Sequence, residues 1–400
     1  MTKMTRAAAA LVSGAAWKEK ATAARDATVP EGGSPLFSGR WRGPRASDES
    51  SGQLPGSELL PPPTAVDNFP GLSRPEPTPA SPMKVLTARA PTRIDFGGGW
   101  TDVPPYSDEE GGFVCNLAIK RYATVRVRAA SDADVGVDTR RAADSALAEA
   151  AVKRAGIAGI SVEITSDFPL GAGLGGSSAA GVAVNGALAA WRGASIDRTT
   201  LAEQSRAIEV EDLGVPGGRQ DHYAAAYGGA LALAFGDGTH VRRLPLPPDL
   251  KAALERRCVV IYTGQSRISG DTITAVLDAY RRRDARVLRA LDRMKALARA
   301  MADDLCDRNL DSLGALVGEH WQLQRSLHPS IPTPLIDAIL ERARAAGARG
   351  GKALGASGGG CVLVIAGDDN VEAVTASVTA LAPHLVPVEI DEEGFACRAE

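Results

Sequence analysis

Apolar and polar positions settle into regular patterns only from about Val85 onward. Val85 to Pro91, Gly111 to Ile119 and Ala123 to Ala129 read as strands. The last of these alternates as Thr124-Val125-Arg126-Val127-Arg128, the period of a half-buried strand. Ala142 to Ala155 reads as a helix and Ile160 to Thr165 as another alternating strand. A glycine-rich loop then leads into an alanine-rich helix from Ser177 to Trp191. Asp197 is placed to cap a second helix reaching Asp212, which Gly214 and Pro216 stop. Strands are expected at Gly229 to Phe235 and Val241 to Leu244, before the break at Pro245, Pro247 and Pro248. Beyond it, Cys258 to Tyr262 is strand-like. Helical spacing recurs at Asp271–Arg282, Ala285–Cys306, Leu310–Leu327 and Pro334–Ala346. A second glycine-rich loop, 347–360, precedes an apolar strand at Cys361 to Ala366 and a helix at Val371 to Leu381. The order predicts an α+β fold in two domains, 83–245 and 246–400.

The first 82 residues differ in kind. They hold 12 of the chain's 25 prolines, with Ser and Gly filling much of the remainder. Such a segment cannot bury enough apolar surface to offset its chain entropy, so it is expected to be a disordered tail. The alternative is that translation starts at Met83. In the whole chain 45 basic and 48 acidic residues leave a formal net charge of −3, which gives no reason to expect a nucleic-acid or anionic-membrane partner. No apolar run reaches the roughly 18 residues of a membrane span. Five scattered cysteines without a CxxC pair argue against a disulfide framework or a zinc knuckle. With no convincing secretory signal, a reducing cytoplasm is the expected compartment.

Three glycine-rich segments carry the candidate chemistry. The central one runs from Pro169 through Gly171, Ala172, Gly173, Leu174, Gly175 and Gly176 to Ser177 and Ser178. Its glycines let backbone N–H groups approach an anion, and the following helix adds the positive end of its dipole. The two serines can cap that helix, hold a phosphate oxygen or ligate a cation. Gly171-x-Gly173-x-x-Gly176 also spells a dinucleotide fingerprint. However, Ser166–Pro169 separates it from the preceding strand, and a second helix follows where that fold needs a strand. A Walker loop fails, since Gly351-Lys352 is followed by Ala353. The second segment joins Arg93 and Asp95 to Asp102 across Gly97-Gly98-Gly99-Trp100-Thr101. Arg93 can stabilise a transferring phosphoryl group and Asp102 can accept from a polyol; a surface turn with an ion pair is the competing account. Trp100 suits either a core or a sugar-stacking platform. The third segment, Gly350 to Cys361, ends in three glycines that imply close approach of backbone or ligand, or simply a tight turn.

In this order the three segments resemble the motifs of the GHMP kinase superfamily, over about residues 84–366. The resemblance implies a two-domain GHMP kinase fold, an N-terminal ribosomal-protein-S5-domain-2-like domain followed by a C-terminal GHMP kinase domain. It also implies ATP and Mg²⁺, phosphoryl transfer to a sugar or sugar phosphate, and no nucleic acid or membrane; a homodimer is left open. By position it makes Asp221 the group that orients or deprotonates the attacking hydroxyl, with Arg93 beside it. It gives the ATP phosphates to 169–178, and substrate to Asp102, Thr101, Gly98, Gly358 and Gly359. Ser178 and Glu209 would hold the metal, with Glu211 the rival for Glu209. Arg93-Ile-Asp95-Phe-x-Gly98-Gly99-Trp100-x-Asp102 is similar to L-fucokinases. Arg219-Gln220-Asp221-x-Tyr223 and Gly351-Lys352-x-Leu-Gly355 are closer to D-glycero-D-manno-heptose 7-phosphate kinases. A non-catalytic sugar-binding regulator is the alternative of another class.

Overall fold

A computed structural model of the chain describes residues 85–130, 136–139, 142–265, 270–382 and 384–400. The tail expected over 1–82 and the alternative start at Met83 lie outside the described residues. The first strand, β1 (Val85–Gly97), runs on past Pro91 through Arg93 and Asp95. A one-turn helix, α1 (Tyr106–Glu109), leads to β2 (Gly112–Ala129). The two strands expected there are one, because β2 pairs with β1 on both sides of Lys120 and Arg121, which are absorbed as a register shift opposite Pro91/Thr92. Next come β3 (Gly136–Thr139), α2 (Ala142–Ala155) and β4 (Ile160–Ser166). The loop 167–175 then enters α3 (Gly176–Trp191).

Asp197 caps α4 (Arg198–Ala207) by accepting from Thr200 N at 2.9 Å. The helix does not continue regularly to Asp212; residues 208–212 loosen into a π turn that carries Glu209. Then follow α5 (Gln220–Tyr227), β5 (Ala230–Gly236), β6 (Gly238–Leu244), α6 (Pro248–Arg257) and β7 (Cys258–Tyr262). Four helices come next: α7 (Gly270–Arg281), α8 (Ala285–Cys306), α9 (Leu310–Leu327) and α10 (Pro334–Ala345). The chain closes through β8 (Ala348–Ala353), β9 (Cys361–Ala366), α11 (Val371–Thr379), β10 (His384–Val386) and β11 (Ala396–Ala399).

The strands make two sheets. One is seven-stranded, ordered β11-β1-β2-β4-β3, with β5 and β6 continuing from β2; the other is four-stranded, β10-β7-β9-β8. The last strand thus returns to the first, Leu86 pairing with Ala399. α3 covers the larger sheet with small residues such as Ala179, Ala180 and Ala183, all fully buried. Small side chains let that helix lie close to β1 and β2, which sets the depth at which the preceding glycine loop meets β1. α8 shows the amphipathic rule directly. Val287, Leu291, Met294, Ala298, Met301 and Leu305 recur at three- and four-residue spacing and are buried, while Asp284 caps the start by accepting from Arg286 N and Val287 N. Met301 and Leu305 join the core under the larger sheet; Val287 and Met294 join a second core around the smaller sheet, α10 and Trp321.

Candidate active site

The three glycine segments converge on one cleft of about 310 Å³. β1 delivers Arg93, and the backbone N–H of Arg93 donates to Leu174 O at 3.0 Å, tying strand to loop. The Arg93 guanidinium spans two elements. Nε donates to Asp221 Oδ1 at 2.7 Å, and Nη1 donates to the Gly173 carbonyl at 2.6 Å. Asp221 lies in the first turn of α5, with about a quarter of its side chain exposed to the cleft. It sits close enough to Gly175 that a Cβ there would come within 3.0 Å of its carboxylate, and Gly175 itself has φ +73°. Both space and conformation therefore require glycine at that position. The third segment closes from the other side. Cys361 N donates to Ala172 O at 2.7 Å, and a Cβ on Gly173 would stand 2.6 Å from Leu354 O.

Gly175 is the N-cap of α3 and offers no side chain to the helix's first amides. Those N–H groups, the left-handed turns at Gly171, Gly173 and Gly175, and the positive end of a 16-residue helix form an anion cradle at the cleft wall. The serines at its start face the π turn instead of capping the helix. Ser178 Oγ donates to Glu209 Oε2 at 3.2 Å, and Ser177 Oγ donates to Glu209 Oε1. His222 Nε2 lies 2.8 Å from Glu209 Oε2. Burial alone would push the Glu209 carboxyl up; His222 and the two hydroxyls outweigh it and hold it below the usual range. Glu211 points away and pairs with Arg154 on the surface at 3.1 Å.

Asp102 lines the cleft and also holds α5 in place. Its Oδ2 accepts from Arg219 N at 2.9 Å and Gln220 N at 3.0 Å, so it caps the helix that bears Asp221. Burial pushes its carboxyl up to about 6, against the opposing hydrogen bond from Gln220 N. Thr101 and Gly98 stand behind it. Thr101 Oγ1 donates to Gly98 O at 2.7 Å, and Gly98 N donates to His320 Nε2 at 2.9 Å. Gly98 admits no side chain, since a Cβ would lie 2.0 Å from Phe113 O. Trp100 adopts φ +79° and is 7% exposed. It belongs to the second core and forms one wall of the cleft. From the third segment, Gly355 and Ala356 line the cleft, whereas Gly358 donates its N–H to Ile331 O and Gly359 packs against Gln265 O.

One feature of the site escaped the sequence reading. Lys352 is fully buried, and its Nζ donates to Asp95 Oδ2 at 2.8 Å. Burial opposes ionisation of Asp95, but the Lys352 ammonium and the nearby Arg93 guanidinium hold its carboxyl below the usual range. Burial lowers the Lys352 ammonium in turn, with Asp95 opposing. His320, buried beside them, is pushed well below its ordinary value; it is neutral and accepts through Nε2. The only signal in the sequence was a lysine inside a glycine run, Gly350-Gly351-Lys352, which fits no Walker pattern.

Two family profiles match the chain: GHMP kinases N terminal domain over 140–229, and GHMP kinases C terminal over 301–384. The bifunctional fucokinase/GDP-fucose pyrophosphorylase of Arabidopsis thaliana is 27% identical over 312 residues. These cover 70% of this chain but 29% of that protein, so the chain spans less than a third of its length. The D-glycero-alpha-D-manno-heptose 7-phosphate kinase of Campylobacter jejuni is 27% identical over 306 residues, 70% of this chain and 88% of that one. The mevalonate kinase of Thermococcus onnurineus is 30% identical over 243 residues, 59% of this chain and 68% of the relative. Among solved structures, a D-glycero-D-manno-heptose 1-phosphate kinase from Bacteroides thetaiotaomicron superposes with a TM-score of 0.64 at 21% identity, covering 78% of this chain and 98% of that one.

Proposed function

The chain belongs to the GHMP kinase family, a family of phosphotransferases, and on that premise we propose that it transfers the γ-phosphoryl group of ATP to a hydroxyl of a sugar or sugar phosphate, at the anomeric carbon. The observation that carries this reading is the Arg93–Asp221 pair, 2.7 Å apart, set against the anion cradle of the 171–178 loop. In phosphoryl transfer the protein mainly positions and stabilises charge. Asp221 orients the attacking hydroxyl and takes its proton. Arg93, held by Asp221 and Gly173 O, faces the charge that develops on the transferring group. The backbone of 171–178 and the start of α3 receive the ATP phosphates, while Asp102 accepts from substrate hydroxyls.

Ser178 Oγ and the ionised Glu209 carboxylate, hard oxygen donors 3.2 Å apart beside that loop, suit Mg²⁺. When bound there the ion would offset charge on the ATP phosphates. The leading substrate is a heptose 7-phosphate, supported by the Campylobacter relative, of which the match covers 88%. L-Fucose is the second reading, supported by the equal 27% identity to the Arabidopsis protein. The division into 83–245 and 246–400 and a cytoplasmic setting belong to the same proposal.

The test is coupled ADP release by the full chain over a sugar panel that includes both substrates, with Asp221→Asn alongside. Sugar-stimulated turnover that the variant abolishes is the expected result. Sugar binding without turnover in the wild type would instead make the chain a sugar-binding regulator.

A further inference from the structure

Arg206, in the last turn of α4, has a buried Nε with no hydrogen-bond acceptor among the described residues. A cation set partly into a fold without an acceptor is unfavourable unless a ligand completes it. The packing of α4 on α5 shows what it faces. Arg198 Nη1 donates to Ala226 O, the Thr199 and Tyr227 hydroxyls meet at 2.6 Å, and Tyr223 Oη donates to Glu203 Oε1 at 2.6 Å. From the Thr199–Tyr227 contact to the Glu203–Tyr223 contact, residue numbers rise along α4 and fall along α5, so the helices run antiparallel. The next rung of this ladder brings Arg206 opposite Arg219.

The acidic groups around this pair are already engaged. Glu203 accepts from Tyr223 and Thr239, and Asp102 accepts from the backbone of Arg219 and Gln220. Asp108 accepts from Arg219 Nη1 at 3.2 Å. Burial, then the Arg219 charge, depress the Arg206 guanidinium, as two cations facing one another should. The two arginines are not themselves in the cleft wall, but Gly217, Gly218 and Gln220, the chain neighbours of Arg219, line it together with Asp102, which accepts from Arg219 N.

Resting on the sugar-kinase reading above, we propose that Arg206 and Arg219 seat an anionic phosphate at the end of the substrate remote from the reacting hydroxyl, so that the substrate is a sugar phosphate and not a neutral sugar. Two guanidinium forks offer the planar, bidentate donors that phosphate oxygens prefer. Asp102, fixed between this pair and the Arg93–Asp221 pair, would then meet the hydroxyls of the intervening sugar.

The experiment uses the full chain and three sugars: D-glycero-D-manno-heptose 7-phosphate, the same heptose without phosphate, and L-fucose. Wild-type protein should favour the phosphorylated heptose in kcat/KM. In Arg206→Gln and Arg219→Gln that preference should fall at least tenfold, chiefly through KM, and Arg206→Lys should restore part of it. Equal losses on phosphorylated and neutral sugar would overturn the proposal, because they would mark a merely structural pair. Turnover indifferent to the remote phosphate would overturn it too, while leaving the kinase reading intact. If no sugar is turned over, the kinase reading fails, and calorimetric titration of heptose 7-phosphate without ATP still decides the matter. A Kd weakened tenfold by Arg206→Gln supports the phosphate seat, and an unchanged Kd, or no binding at all, rejects it.

Discussion

Arg93 and Asp95 stand two residues apart on β1, on the same face of the strand, and each makes an ion pair with a residue far along the chain. Arg93 meets Asp221, whose side chain is 26% exposed to the cleft. Asp95 meets Lys352, and there the exposures are 4% and 0%. In the first pair Arg93 is itself only 4% exposed, but the Asp221 carboxylate faces space that a ligand can enter and both residues line the cleft, so the pair's charges can act on a reacting group. In the second pair Asp95 reaches the cleft wall but is almost wholly buried, and Lys352 is fully buried. Its charges fix β1 to the third glycine segment, next to the residues proposed to do the chemistry. On the proposed function, the same residue types would serve positioning or chemistry according to how far a ligand can reach them.

The strongest way to sharpen this contrast is Asp221→Asn. It should lower kcat by about 10³-fold or more in an ADP-release assay. The melting temperature should change little, because the residue is partly exposed and the amide still accepts from Arg93. Lys352→Met should do the reverse. It leaves Asp95 buried without its cation and should cost about 3–5 kcal/mol in urea unfolding. Pairing it with Asp95→Leu should recover much of that loss. A single-variant cost below about 1 kcal/mol would mean that the pair is not buried as described.

Glu209→Gln should raise the Mg²⁺ concentration needed for half-maximal rate by about tenfold, through loss of one charged ligand. Glu211→Gln, which loses an ion pair with Arg154 at the surface, should stay within about 0.5 kcal/mol in stability and leave the Mg²⁺ dependence alone. Burial pushes the Asp102 carboxyl up to about 6, so its carboxylate is lost as pH falls through that region. Below it, kcat/KM should drop by up to about tenfold per unit, and Asp102→Asn should flatten that limb. For stability the sign is opposite. A carboxyl raised from 3.8 to about 6 binds its proton more readily in the native state, so this group's contribution declines as pH rises between those values.

Features governed by near neighbours were legible in the sequence. α8 begins and ends where its spacing predicts, Ala285–Cys306, because Asp284 caps it and one face is apolar throughout. The loop 169–178 was readable because glycine conformations and helix dipoles are local properties. β8 was not read as a strand. Its Gly350-Gly351 pair has no strand propensity, and it exists because β9 pairs with it and α9 packs so closely that a Cβ on Gly350 would lie 1.9 Å from Gly314 O. β11 was missed for a similar reason: four residues at the chain's end form a strand only because β1 has a free edge there. The helix expected to reach Asp212 breaks into a π turn where Glu209 meets Ser177, Ser178 and His222.

By itself the sequence determined most of the longer helices and strands, the three glycine segments and their order, and with them a fold class and a short roster of candidate catalytic residues. Periodicity, caps and allowed φ act within a few residues, so they are written where they operate. Only the tertiary structure decided which charges meet. Arg93 and Asp221 are 128 residues apart and Lys352 and Asp95 are 257 apart. No local pattern distinguishes a lysine that will be sealed in a core from one that will stay in water. That choice is made when the sheets close, because burying a charge is tolerable only where the fold has already brought its partner.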